Sequence, residues 1–484
     1  MSQPLNILFI AAEASPFAKV GGLGDVIGSL PKELQRAGHD ARVLLPHYGT
    51  IDGQQDILWQ DTFDMPFLGN QEKIRILEVR QKKEVPLYLI GNTRYFDRMA
   101  VYGEPDDGER FQLFSRAAME IPKRLNWRPD IIHCHDWHTA LCCGLLKIDY
   151  RKDKFYASTA SVFTIHNLSY QGWFDDAYIW KTNLHKYLLS TGNPFRGKTY
   201  SMMGIGITHS DVVTTVSETY AKEILTPEYG CGMEDLLRSR KDSLFGVLNG
   251  IDYEEFNPAT DTQIAANYDI NNLKSKVENK LALQKMVGLP VNKDTPLIGM
   301  AGRLVDQKGP DIAAEALESL LPDANIQLIM QGTGETRYRE ILEKLEGGNI
   351  RKARLFFILD FALIDLIYAG SDIFLMPSRF EPCGLAPMIA MRYGTIPVVR
   401  HTGGMVETVP DCSADLTTGL GFVFKKYDAS ELVVAIRRTL SAYQNQEKWR
   451  ELIFRVMSAD YSWRTSIPKY EAIYGLAIRH AIKK

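Results

Sequence analysis

Three stretches of this 484-residue sequence set charged side chains among glycines just after an apolar run. The first is Lys19-Val20-Gly21-Gly22-Leu23-Gly24-Asp25. Glycine lets a backbone approach an anion, and a helix N-terminus favours negative charge. The spacing fits neither the dinucleotide fingerprint nor the nucleotide-triphosphate loop. It reads as a phosphate-binding turn or as a glycine-rich turn beside a solvated lysine. The second is Gly302-Arg303-Leu304-Val305-Asp306-Gln307-Lys308-Gly309. Arg303 and Lys308 suit a diphosphate, or they are unrelated charges on a surface turn. The third is Pro377-Ser378-Arg379-Phe380-Glu381-Pro382-Cys383-Gly384-Leu385. Glu381 suits a sugar, or it balances the dipole of the helix that follows. Cys383 has no activating partner in the sequence, which points to a buried, inert thiol.

A fourth stretch, His133-Cys134-His135-Asp136-Trp137-His138, has the residue types of a metal site. Strand alternation would point His133 and His135 one way and Cys134 and Asp136 the other. That scatters the ligands and favours polar residues at a strand end. Thr164-Ile165-His166-Asn167 ends another apolar run, so His166 either reaches a cleft or serves the fold. No Asp-x-Asp pair for a metal-bound diphosphate is present. None of the six cysteines (Cys134, Cys142, Cys143, Cys231, Cys383, Cys412) forms a C-x-x-C pair, so neither structural zinc nor a disulfide framework is expected.

Strand ends must carry these stretches. Strands are predicted at Leu5–Ala12, Ala41–Leu45, Leu87–Ile90, Ile131–His135, Ser161–His166 and Val212–Val216, with helices at Asp25–Ala37 and Glu109–Leu125. The pattern restarts with strands at Leu297–Ala301, Ile326–Met330, Leu355–Leu359, Ile373–Met376 and Pro397–Val399. Helices are predicted there at Asp311–Leu321, Leu363–Ala369 and Ala386–Tyr393, and a basic helical stretch, Trp449–Lys484, ends the chain. Continuous apolar strands alternating with helices mark an α/β fold with parallel sheets covered on both faces. Two doubly wound domains are expected, residues 1–252 and 253–456, with a hinge near Asn249–Pro258. A tail, 457–484, is expected to pack back on the first domain. Ligands in such sheets sit at the carboxyl ends of strands, so a cleft between the domains is the expected site.

Composition agrees with this and excludes other classes. Hydrophobic residues are 45% and charged residues 24%, ordinary globular usage. The formal net charge is −3, from 56 basic and 59 acidic residues, which asks for neither nucleic acid nor an anionic membrane. No apolar run approaches the ~20 residues of a membrane helix. The first basic residue is Lys19, so no signal-peptide lead is visible. A cytoplasmic chain, or a mature plastid one, is expected.

Taken together and in order, these motifs resemble the bacterial and plastid starch and glycogen synthases. Asn249-Gly250-Ile251-Asp252 and Thr402-Gly403-Gly404 add to the likeness, which spans nearly the whole chain. The resemblance implies a GT-B fold, two Rossmann-like domains facing a deep cleft. It implies a retaining transfer of glucose from ADP-glucose to the non-reducing end of an α-1,4-glucan, with no metal or other cofactor. Lys19, Gly21 and Gly22, with Asp25 beside them, would hold the nucleotide sugar. Arg303 and Lys308 would clamp the diphosphate. Glu381 and the backbone of Cys383, Gly384 and Leu385 would hold the donor glucose. His166, with Asn167 beside it, would lie near the reacting carbon. Asn249 and Asp136 would line the sugar cleft, and Tyr102 and Glu13 the acceptor side. ADP-glucose, ADP and the glucan are the implied partners.

Three departures fall in the nucleotide half. The family carries an aromatic, then polar residues and a His or Arg, where this chain has Leu359-Asp360-Phe361-Ala362-Leu363-Ile364-Asp365. Ala386-Pro387 replaces a polar pair, and His401 stands where Arg is usual. These predict weaker stacking on adenine, unless Phe361 supplies the ring. The rival readings are a glucan-binding protein of this fold with weakened catalysis, and another GT-B glucosyltransferase.

Overall fold

The computed structural model describes residues 3–51, 56–79, 85–188 and 199–482. In chain order its first strands are β1 (Asn6–Ile10), β2 (Asp40–Pro46), β3 (Ile57–Phe67), β4 (Asn70–Val79), β5 (Leu87–Gly91), β6 (Ile131–His135) and β7 (Ala160–Ile165). A small antiparallel pair, β8 (Trp173–Asp175) and β9 (Thr199–Ser201), precedes β10 (Val212–Thr215) and β11 (Leu244–Gly246). All but β8 and β9 form one sheet in the order β11-β10-β7-β6-β1-β2-β5-β4-β3. Leu8 and Ile10 of β1 face one apolar core, and Ile7 and Phe9 face the other. Burial on both faces is why β1 reads as an apolar run, and in β6 it takes in His133 and His135 as well.

The expected all-parallel sheet is corrected at one edge. β3 and β4 form an antiparallel hairpin turned at Leu68-Gly69, and β4 also pairs antiparallel with β5. In β4, buried Ile74 and Ile76 alternate with exposed Lys73 and Arg75, so no continuous apolar run betrays the strand. The predicted helix Glu109–Leu125 is two helices, Asp107–Ala118 and Ile121–Arg124. Pro122 falls in the first turn of the second, where a missing N–H costs nothing.

The second sheet runs β12 (Leu297–Ala301), β13 (Gln327–Gln331), β14 (Ala353–Phe356), β15 (Ile373–Met376), β16 (Ile396–Arg400) and β17 (Phe422–Phe424). Its order is β14-β13-β12-β15-β16-β17, parallel throughout. The strand predicted at Leu355–Leu359 stops at Phe356.

The chain divides into two compact units, Met1–Gly250 with Trp463–Lys484, and Ile251–Ser462. The last stretch is two helices rather than one, Gln446–Ser458 and Ile467–Ile482. The second of these packs in the first unit. There Trp463 Nε1 donates to Ser29 Oγ (2.7 Å) and Ser466 Oγ to the Leu248 carbonyl (2.6 Å). No helix among the described residues is long and apolar enough to cross a membrane.

Candidate active site

Among the parallel strands of each sheet the order reverses at one point, between β1 and β6 in the first and between β12 and β15 in the second. The loops leaving neighbouring strands at such a point diverge to opposite faces and open a crevice at the carboxyl edge. Four of the sequence motifs leave these strands, while Thr164–Asn167 ends β7 and Thr402–Gly404 follows β16.

In the first unit, β1 leads into Glu13. Its Oε2 accepts the backbone N–H groups of Val20 (2.6 Å) and Gly21 (2.8 Å), and its Oε1 accepts from the Tyr102 hydroxyl (2.7 Å). Glu13 therefore holds the glycine loop in shape, and its carboxylate is engaged by the chain itself. The helix Gly22–Arg36 starts three residues before the predicted Asp25. Asp25 pairs with Lys19 at 2.5 Å. Burial raises the Asp25 carboxyl, Lys19 opposes this, and Glu13 adds to it.

β6 ends at His135, and Asp136 lies beyond it in the left-handed region at φ 55°. This corrects the reading that placed Asp136 on the strand opposite His135. Asp136 Oδ1 accepts the His166 backbone N–H at 2.8 Å. Burial pushes Asp136 up to about 7, against the pull of the His166 and Asn167 amides. His166 follows β7, and its Nε2 lies 2.9 Å from His135 Nδ1. Burial holds the His166 ring down to about 3, so it is neutral. Asn167 accepts the Ser169 N–H through its own side chain. Asn249 is buried, and its Oδ1 has no hydrogen-bond partner among the described residues.

Sequence reasoning missed His138. It stacks on Tyr102 (ring centroids 4.5 Å apart) and lies edge-on to Phe111 (4.6 Å). Its place in the His-rich motif was the available signal. Among the described residues no cluster of three or more His, Cys, Asp or Glu is arranged to hold a metal ion.

In the second unit, Lys308 ends a short turn, Asp306–Lys308, after β12, and Glu381 lies in the loop after β15. Lys308 Nζ and Glu381 Oε2 are 2.6 Å apart, and Ser378 Oγ donates to the same oxygen at 3.2 Å. Arg303 is exposed on the turn leaving β12. The Glu381 loop is held from β16. Buried Arg400 donates to the carbonyls of Ser378 (2.9 Å), Lys425 (3.1 Å) and Arg379. Gly403 sits at φ 49°, where a Cβ would stand 1.7 Å from the Glu381 carbonyl oxygen, so only glycine fits. That explains the Thr402-Gly403-Gly404 motif. His401 is exposed, and the neighbouring Arg400 does the holding. Cys383 is buried. Gly384, at φ 87°, is the N-cap of the helix opened by Leu385, with Pro387 in its first turn.

At the departure site, Leu359 is 59% exposed and Phe361 48%. Asp360 caps the helix Phe361–Gly370. Gln331 joins this loop to the β12 turn, donating to the Asp360 carbonyl (2.8 Å) and accepting from Gly302 N (3.1 Å). Asp365 is one of the charges that raise the buried Tyr393 hydroxyl, after burial and Asp261.

The sequence matches two family models, "Starch synthase catalytic domain" over residues 6–239 and "Glycosyl transferases group 1" over residues 284–453. It is 43% identical to a glycogen synthase of Clostridium perfringens over 474 residues, 97% of this chain and 98% of that one. Against a glycogen synthase of Thermotoga maritima the identity is 41%, covering 98% and 99%. The fold superposes with a TM-score of 0.91 on the catalytic domain of starch synthase IV from Arabidopsis thaliana bound to ADP and acarbose, 36% identical and covering 99% and 100% of the two chains. A sucrose-phosphate synthase from Thermosynechococcus elongatus shares the fold at a TM-score of 0.59 and 16% identity, covering 98% of each. Two Rossmann-like parallel sheets with these loops define a glycosyltransferase of the GT-B class. Within that class, the chain belongs to the glycogen and starch synthase family.

Proposed function

We propose that this protein transfers glucose from ADP-glucose to the non-reducing end of an α-1,4-glucan, with retention of configuration. The observation that carries the reading is the Lys308–Glu381 pair, a cation and a carboxylate 2.6 Å apart at the switch point of the second sheet. It stands in a chain 43% identical to glycogen synthases over nearly its full length.

The leaving group is a diphosphate whose charge grows as the glycosidic bond breaks. Cations fixed beforehand stabilise that change most. Lys308 and Arg303 supply them, so side chains do the work a divalent cation does elsewhere. Glu381 orients Lys308 and accepts from a glucose hydroxyl. Lys19 and the backbone at Gly21 and Gly22 are assigned to holding the nucleotide sugar. His166, with Asp136 holding its amide, stands at the reacting sugar. The leaving phosphate takes the acceptor proton on the same face, so no carboxylate pair at fixed separation is needed. Asn249 Oδ1, a buried acceptor without a partner among the described residues, suits a sugar hydroxyl. Tyr102, backed by the stacked ring of buried His138, stands on the acceptor side.

Proton NMR of the first product formed from ADP-glucose and maltotetraose tests this. An α-linked glucose at the non-reducing end is expected. A β-linked product would contradict the retaining transfer.

A further inference from the structure

His135 has two ring nitrogens with unlike surroundings. Nδ1 lies 2.9 Å from His166 Nε2. Nε2 is buried with no hydrogen-bond partner among the described residues. The ring is held in place on several sides. Phe9 stacks at 5.7 Å with a 16° tilt, and the His133 ring is 4.3 Å away. Thr139 Oγ1 accepts the His135 backbone N–H (2.7 Å) and donates to its carbonyl (2.9 Å). His135 therefore has no easy second orientation.

Burial keeps both imidazoles neutral, so each carries one proton. The contact between them holds one of these. If His166 Nε2 donated it, the His135 proton would sit on Nε2, a buried N–H with no acceptor. If His135 Nδ1 donates it, the buried Nε2 is a bare lone pair. An orphaned buried N–H is the rarer and costlier state. The second arrangement wins, and it forces the His166 proton onto Nδ1.

We propose that His135 is a positioning residue that fixes His166 as an Nδ1–H donor, so that His166 offers a hydrogen bond to an oxygen of the reacting sugar. This rests on the placement of His166 at that sugar under the proposed function. His166 then selects a substrate oxygen able to accept, whereas the other tautomer would select a hydroxyl able to donate. Asp136 locks the His166 backbone, and the adjacent His135 locks its proton.

The direct test is two-bond proton–nitrogen correlation NMR on wild-type protein labelled with 15N-histidine, the His166 signals being assigned by their loss in His166→Asn. Protonated Nδ1 on His166 is the expected pattern, and protonated Nε2 overturns the proposal. Kinetics supply a second readout. His135→Asn keeps a donor near the Nδ1 position and should hold kcat within about threefold, while His135→Phe should lower it roughly tenfold or more. ADP affinity should be unchanged in both. Equal loss in the two variants would make His135 a packing residue and overturn the proposal. The underlying placement fails separately: a His166→Asn enzyme with full kcat would remove His166 from the sugar whatever its tautomer.

Discussion

At Lys308 and Glu381 the two charges hold each other at 2.6 Å, with Ser378 on the same carboxylate oxygen. The proposed function separates their roles. A charge-assisted contact to the diphosphate is worth ~1.5–3 kcal/mol, and each ~1.4 kcal/mol is tenfold in rate. Lys308→Ala is expected to lower kcat/KM roughly ten- to a hundredfold. It should lower kcat too, because the charge develops in the transition state. Glu381→Gln should leave ADP affinity by calorimetry near wild type while transfer drops sharply. Equal losses of ADP binding and turnover in Glu381→Gln would assign that residue to the nucleotide.

The departure at Leu359 gives a second residue-level expectation. Leu359 and Phe361 are both exposed on the loop that Gln331 ties to the β12 turn. A ring on adenine contributes ~1–3 kcal/mol by analogy with base stacking. Leu359→Tyr should lower the donor KM and sharpen the preference for ADP-glucose over UDP-glucose. An unchanged donor KM and base preference in Leu359→Tyr would contradict the assignment.

Among the elements, those that carry the site were the most legible. Ile131–His135, Leu297–Ala301 and Ile373–Met376 stand as the sequence predicts, the last two because strands buried on both faces read as apolar runs. The β3–β4 hairpin was hidden, since half its side chains face water. The contact of His135 with His166 was hidden for another reason. It depends on the register that sets His135 beside Thr164 in the neighbouring strand, which no spacing along the chain reveals. The engagement of Glu13 by Val20, Gly21 and Tyr102 was likewise beyond a linear reading.

Burying so many histidines at strand ends has a cost in acid. His133 and His138 are held down to about 3, mainly by burial. From the ordinary histidine value of about 6.5 downward, the unfolded chain takes up protons at both positions and the folded chain does not. Stability contributed by these two groups is therefore lost as pH falls. Asp136, raised to about 7, works the other way, because its folded form keeps a proton that the unfolded form has released above about pH 4. His135 and His166, kept neutral by burial in the same way, add to His133 and His138, and the four together outweigh Asp136, so stability falls as pH drops from about 6.5 toward 4. Urea midpoints should drop over that range, and His133→Gln should flatten the drop. An unchanged slope in that variant would contradict the account.

On the scale of the whole molecule, the first unit is built from both ends of the sequence. Trp463, Tyr470 and Tyr474 are each at most 1% exposed in a core shared with β1, and Tyr474 reaches His133 at 3.0 Å. Trp463→Ala should cost about 3–5 kcal/mol of stability, the usual range for deleting a buried large aromatic. Thermal or urea unfolding would show it, and a change below about 1 kcal/mol would mean that the segment contributes little to the core.

The central claim is glucosyl transfer from ADP-glucose to an α-1,4-glucan. The most direct measurement incubates the full chain with ADP-glucose and a maltooligosaccharide of one length, and follows chain length and released ADP together. A ladder that grows one glucose at a time, with one ADP released per glucose added, is the predicted result. Intact ADP-glucose beside an unextended acceptor, under conditions in which the protein is folded, would contradict it.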